Sequence, residues 1–129
     1  MSKISTTVLL TALAVGLISL SIDSTAIFAQ TATSISIVPG SSAPKPDNIY
    51  YDPSPANVAV GTAVTWTNND ATLHTVVSGT PDSGETGEFG SSSMFLSKGK
   101  TISHTFDKAG TFDYYCTLHP FMIGQVVVK

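Results

Sequence analysis

Short runs in which apolar and polar residues alternate fill the chain from residue 57 onward, and residues typical of turns separate them. An alternation of period two is typical of strands that bury one face, and no helical periodicity of useful length occurs beyond the N-terminal region. The predicted strands are Ser34–Val38, Val58–Val60, Ala63–Thr67, Leu73–Val77, Lys100–Phe106, Thr111–Cys116 and Gly124–Lys129. Many short strands in succession predict an all-β sandwich.

Two segments are predicted to lie outside the central strands. Asp52–Pro55 holds two prolines, which lack the N–H that a central strand needs, and it is predicted to be a turn. Ser78–Ser93 contains four glycines, one proline and three acidic residues, and it is predicted to be a surface loop.

The N-terminal segment has the pattern of an export signal. Val8–Leu20 is apolar with small residues, and its 13 positions fit the hydrophobic region of a secretory signal peptide. Small residues favour cleavage after Ala26, with cleavage after Ala29 as the second choice. We therefore predict a signal peptide at residues 1–29. The alternative is an uncleaved N-terminal anchor, although a bilayer crossing needs roughly 20 apolar residues.

Either interpretation places the remaining chain outside the cytoplasm, in the periplasm, in the extracellular space or on the outer face of the cytoplasmic membrane. We predict that residues 30–46 are a linker running into the first strand and that residues 47–129 form one small domain with one core. The net charge of −3 and the absence of a basic patch argue against nucleic acid as a partner. Membrane contact is expected only if the N-terminal segment is retained.

The most informative residues lie near the C-terminus. Cys116, the only cysteine, is followed at intervals of three residues by His119 and Met122, and a second imidazole is available at His74. Thiolate, imidazole and thioether are soft or borderline ligands that suit copper, and two His, one Cys and a weak Met are the ligand set of blue-copper electron-transfer centres. A structural zinc site usually needs more cysteines, and a thioether favours copper over zinc.

Each of these residues also has an ordinary explanation by itself, such as an inert buried thiol for Cys116. Parity along Thr111–Cys116 nevertheless places Cys116 on the core side at the end of a strand, and the following loop must fold back for His119 and Met122 to meet it. The third histidine, His104, shares the parity of Ile102 and Phe106 in another strand. It is therefore predicted to be a strand histidine and not a ligand.

The run from Asp113 to Val128 resembles the ligand loop of the cupredoxins, in particular the plastocyanin, amicyanin and pseudoazurin group, and it is most like that of amicyanin. The segment Val64–Asn68, with His74 shortly after it, resembles the part of that family that bears the first copper histidine. The resemblance implies a Greek-key β-sandwich of seven or eight strands and one copper ion cycling between Cu(I) and Cu(II). By the same motif, the implied ligands are His74, Cys116, His119 and Met122.

The chain departs from the family pattern at two positions beside the ligands. Thr75 replaces the Asn that commonly follows the first histidine and pins the ligand loop, and we expect the hydroxyl and N–H of Thr75 to do part of that work. Leu118 stands where many relatives have Pro, and it keeps an N–H that we expect to donate to the Cys116 sulfur.

The resemblance implies an electron carrier between larger redox proteins and not an enzyme. We expect the donor and the acceptor to dock near Leu118, His119, Pro120 and Phe121. The main alternative is a copper carrier or storage protein. Copper nitrite reductases and multicopper oxidases need further histidines that this chain lacks, and a metal-free adhesion sandwich would leave the Cys, His and Met spacing to chance.

Overall fold

The computed structural model describes residues 31–129, and these residues form nine strands and no helix. Four strands make one sheet, in the order β2-β1-β4-β7, and five make the other, in the order β3-β9-β8-β5-β6. The bounds are β1 Ala32–Ile37, β2 Tyr51–Asp52, β3 Ala56–Val58, β4 Thr62–Asn68, β5 Val77–Thr80, β6 Gly84–Gly90, β7 Thr101–Phe106, β8 Gly110–Tyr115 and β9 Ile123–Val128. The predicted β-sandwich is confirmed, with nine strands instead of seven or eight.

The core lies between the two sheets and follows the predicted alternation. Every second residue of β4 is buried, because β4 pairs with β1 on one side and β7 on the other while its inner face meets the second sheet. Trp66 of β4 is fully buried, as predicted, and stacks on Phe89 with ring centroids 5.5 Å apart. Its other aromatic neighbour across the core is Tyr114 of β8, at 5.3 Å.

The predicted first strand is confirmed as β1, which runs parallel to β4 with Ile35 opposite Trp66. The predicted signal peptide at residues 1–29 lies outside the described residues. Within residues 31–129 no helix has the length and apolar character needed to cross a bilayer.

The prediction of a loop over Ser78–Ser93 is wrong, because β5 and β6 form a hairpin there. β6 is an edge strand, and among its seven residues only Phe89 is buried. The segment therefore lacks the alternation of apolar and polar residues that predicts a strand. Two of its glycines allow close approach of the chains: a Cβ on Gly79 would lie 2.1 Å from the Gly84 carbonyl oxygen, and one on Gly90 would lie 1.9 Å from that of Val76.

The predicted strand Leu73–Val77 is also wrong for most of its length. Only a single bridge pairs His74 with Leu96, and β5 begins at Val77. The chain crosses here from the sheet that contains β4 to the sheet that contains β5, so it cannot continue either ladder. Three consecutive side chains, His74, Thr75 and Val76, are buried at this crossing, which is a pattern no strand with one exposed face shows.

Candidate metal centre

Cys116 lies directly after β8, on the inner side of the five-stranded sheet. It is fully buried, as is Tyr114 two residues earlier, and Phe112 packs against the same core. The predicted parity is therefore confirmed. β8 is held on both sides, by β9 and by β5, so its end is a fixed position for the thiol.

The loop after Cys116 folds back on itself through two backbone hydrogen bonds. The Cys116 N–H donates to the Met122 carbonyl at 3.1 Å, and the Met122 N–H donates to the His119 carbonyl at 2.8 Å. These bonds bring both ends of the loop together and leave Met122 fully buried and His119 half-buried. The seven residues from 116 to 122 thus form one compact turn.

His74 reaches the same place from the crossing between the sheets. Its N–H donates to the Leu96 carbonyl at 3.1 Å, and the Leu96 N–H donates back to the His74 carbonyl at 2.8 Å. This pair of bonds fixes the His74 backbone, and its side chain is fully buried.

The three donor atoms of His74, Cys116 and His119 all lie within 4.8 Å of one another. Cys116 Sγ is 3.8 Å from His74 Nδ1 and 3.7 Å from His119 Nδ1. Two ligands that each lie roughly 2.0–2.3 Å from one first-row metal ion, at about 120° to each other, stand about 3.8 Å apart. The spacing and the mixed sulfur and nitrogen donors therefore fit a single copper ion.

The surroundings of Cys116 favour its thiolate form. Burial raises the pKa of the thiol, but its hydrogen bonds with His74, the Thr75 N–H and His119 outweigh that effect and lower the pKa to about 6. Since the thiolate is the form that binds metal, the lowered pKa favours Cys116 as a metal ligand near neutral pH. Cys116 forms no disulfide.

Thr75 connects the two parts of the chain that carry the cluster. Its N–H lies 3.3 Å and its hydroxyl 3.7 Å from the Cys116 sulfur, and the Thr117 N–H donates to the same hydroxyl oxygen at 2.8 Å. The expectation for Thr75 is confirmed. The expectation for Leu118 is wrong: within residues 31–129 the sulfur's backbone donor is Thr75, and no hydrogen bond joins it to Leu118.

Sequence reasoning missed Asp70, which lies four positions before His74. The Asp70 carboxylate meets the far side of the His74 ring, with Oδ2 2.7 Å from Nε2. Burial opposes the shift, but the bonds to His74, Gly40 and Ala71 lower the pKa of Asp70. A carboxylate behind a candidate metal histidine is a recurrent arrangement, and an acidic residue four positions before His74 was the available signal.

His104 lies away from the cluster, as predicted. Its ring stacks on Phe89 at 5.1 Å and meets Phe106 edge-on at 4.8 Å. In the described part of the chain, His74, Cys116 and His119 are the only group of three or more His, Cys, Asp or Glu residues placed to hold a metal.

The surface around His119 is apolar. Leu118 is 44% exposed, Pro120 is exposed, and Phe121 is half-buried against Tyr50, with ring centroids 5.3 Å apart. Two more exposed apolar residues, Leu73 and Phe95, directly precede the bridged residues His74 and Leu96.

Comparisons with known proteins agree with a copper site at this cluster. The family described as "Copper binding proteins, plastocyanin/azurin family" matches residues 39–129. The amicyanin of Paracoccus denitrificans is 42% identical over 79 residues, which are 61% of this chain and 58% of that protein, so the match spans less than two thirds of that relative. The amicyanin-alpha of Methylorubrum extorquens is 38% identical over 70% of this chain and 73% of that protein.

Solved structures show the same likeness. A purple cupredoxin from Nitrosopumilus maritimus superposes with a TM-score of 0.69 at 32% identity, over 75% of this chain and 99% of that one. A reduced amicyanin variant superposes with a TM-score of 0.57 at 35% identity, over 76% of this chain and 82% of that one.

Proposed function

We propose that this protein, which belongs to the plastocyanin/azurin family of copper-binding proteins, carries single electrons between larger redox proteins outside the cytoplasm. The observation that supports the proposal most strongly is the cluster of one buried thiol and two imidazoles within 4.8 Å. In this proposal the chain makes and breaks no substrate bond and is not an enzyme.

The proposed ligands are His74 Nδ1, Cys116 Sγ and His119 Nδ1, with the Met122 thioether as a weak fourth ligand. Bound copper supplies one-electron chemistry by alternating between Cu(II) and Cu(I). The chain's part is to hold its donors in nearly fixed positions. Cys116 is placed by β8, and His74 is fastened through Leu96. Held in this way, the ligands rearrange little when the charge of the site changes.

Burial gives the site a second property that suits electron transfer. Cys116, His74 and Met122 are fully shielded from water, so solvent reorganises little around them. The thioether and its apolar surroundings then tune the reduction potential. His119 is the one proposed ligand that is only half-buried, and we place the point of electron entry and exit there.

The proposed docking surface comprises Leu118, Pro120 and Phe121, around His119, together with Leu73 and Phe95 beside the bridged pair His74 and Leu96. A small apolar surface suits brief encounters, which in redox complexes bury less than ~1,200 Å². Residues 47–129 are proposed as the electron-carrying domain, with residues 30–46 as linker and first strand. Residues 1–29 are proposed as the export signal, which would place the partners in the periplasm or outside the cell.

Spectroscopy and voltammetry test the proposal together. Purified protein with Cu(II) should show intense thiolate-to-copper absorption near ~600 nm and one reversible one-electron wave. The reduced protein should keep its copper when a Cu(I) chelator is added. A colourless copper protein that gives up Cu(I) to the chelator would instead support a copper carrier or storage protein. Cys116→Ser is the matched control and should lose the absorption band.

A further inference from the structure

Asp70 is a buried acid whose two carboxylate oxygens have different partners. Its side chain is shielded from water, and Oδ2 lies 2.7 Å from His74 Nε2. Oδ1 accepts the Gly40 N–H at 3.0 Å and the Ala71 N–H at 2.9 Å. Among residues 31–129 His74 is the only ion-pair partner of this carboxylate.

We infer that Asp70 is a positioning residue of the copper centre, which holds the His74 ring so that Nδ1 faces the metal and strengthens that nitrogen as a donor. This inference rests on the proposed function. Because Nε2 faces a carboxylate acceptor, the proton of the neutral ring belongs on Nε2, and the lone pair is on Nδ1. Nδ1 is the atom that faces Cys116 Sγ, at 3.8 Å.

The carboxylate is itself fixed before any metal binds. The Asp70 N–H donates to Asn68 Oδ1 at 2.8 Å, and the Asn68 amide donates to the Leu96 carbonyl at 2.8 Å. Leu96 in turn holds the His74 backbone. Asp70, Asn68, Leu96 and His74 therefore form a closed set of contacts, so the backbone and the far edge of the ring are held together.

His119 has no such support. Within the described residues its ring contacts are Cys116 Sγ and the rings of His74 and Phe121. A negative charge behind only one imidazole makes His74 the more basic donor, which favours Cu(II) over Cu(I). Removing such a partner typically costs 10–100-fold in metal affinity.

The Asp70→Asn variant separates this role from a purely structural one. The two backbone donors from Gly40 and Ala71 still require an oxygen at the Oδ1 position, so the new amide NH₂ is left facing His74 Nε2–H. The N–H groups of Gly40 and Ala71 therefore keep their acceptor, while the His74 ring loses the acceptor of its Nε2–H. Asp107→Asn is the matched control: it removes the same charge at an exposed turn before β8, and Cys116 lies beyond the other end of that strand.

We expect Asp70→Asn to weaken Cu(II) binding 10–100-fold and Cu(I) binding less, measured by competition with chelators. Each tenfold loss that is confined to Cu(II) raises the midpoint potential by about 59 mV. Asp107→Asn should leave both affinities and the potential within twofold and a few millivolts of the parent protein. Equal shifts in the two variants would overturn the inference.

A second measurement needs no variant. In the reduced wild-type protein, which is diamagnetic, nitrogen NMR of His74 should show a proton on Nε2 that exchanges slowly with water. An unprotonated or rapidly exchanging Nε2 would overturn the inference, even if Asp70→Asn fails to fold. Wild-type protein that binds no copper would overturn the proposed function and this inference with it, whereas normal copper binding with an unprotonated Nε2 would overturn the inference alone.

Discussion

The two histidines of the centre are held in opposite ways. His74 lies on a crossing between the sheets, is fully buried, and is fastened at its backbone by Leu96 and at its ring by Asp70. His119 lies on a short loop with exposed neighbours and is half-buried. In the proposed electron carrier, the His74 side of the site therefore fixes the geometry and the His119 side gives access to a partner.

The largest difference between the two histidines should appear in stability and in rescue by imidazole when each is replaced by glycine. His74→Gly leaves the Asp70 charge buried without its partner, at a cost of about 3 kcal/mol in the free energy of unfolding, and its cavity is closed to solvent. His119→Gly should cost about 1 kcal/mol and open a route to the surface. Millimolar imidazole should then restore the visible absorption of His119→Gly with Cu(II), but not that of His74→Gly. Equal rescue of both variants would contradict the division described above.

Thr75 connects the His74 side of the centre to the loop that begins at Cys116. Loss of its hydroxyl should therefore lower the free energy of unfolding more than loss of an exposed hydroxyl. Thr75→Val leaves the Thr117 N–H without its acceptor at 2.8 Å, so we expect a loss of ~1–3 kcal/mol in urea unfolding of the metal-free protein. Thr75→Ser keeps the hydroxyl and should retain most of the free energy of unfolding that Thr75→Val loses. Thr65→Val, which breaks an exposed hydroxyl pair with Ser103, is the control and should cost less than ~1 kcal/mol. Equal losses at Thr75 and Thr65 would show that the two sides are not coupled here.

Met122→Leu tests the loop side while conserving volume. The side chain is fully buried, so a swap of similar size should cost less than ~1.5 kcal/mol and leave the copper bound by the three remaining donors. Loss of the thioether, which stabilises Cu(II) weakly, should raise the midpoint potential measured by voltammetry. Met94→Leu, at an exposed methionine, is the control and should leave the potential unchanged. A potential that is unaltered in Met122→Leu would remove Met122 from the proposed ligand set.

The smallest effect on the centre itself should come from Leu118→Ser. This residue is 44% exposed beside His119, so the substitution should slow electron exchange with a redox partner several-fold without moving the potential. Val60→Ser is the matched control: Val60 is 48% exposed, and its N–H donates to the carbonyl of Lys129, at the end of β9 remote from Met122. Stopped-flow rates that fall equally in both variants would argue against the proposed docking surface.

Much of the candidate centre could be predicted because its signals are local. Cys116, His119 and Met122 stand at fixed short intervals after an alternating strand, and the alternation itself places Cys116 on the inner side. Trp66 was predictable for the same reason, since the period of β4 determines which side chains face the core. The edge hairpin β5–β6 was not predictable, because a solvent-exposed edge strand lacks the apolar period by which strands are recognised.

The sequence by itself determined the sandwich and the types of donor atoms, because strand period and ligand chemistry are properties of neighbouring residues. Only the tertiary structure decided which groups stand behind those donors. Thr75 reaches the Cys116 sulfur across 41 positions of the chain, and the Asp70 carboxylate is held in place by the N–H of Gly40, 30 positions earlier. Contacts of this kind depend on how the two sheets pack, which no local pattern of residues records.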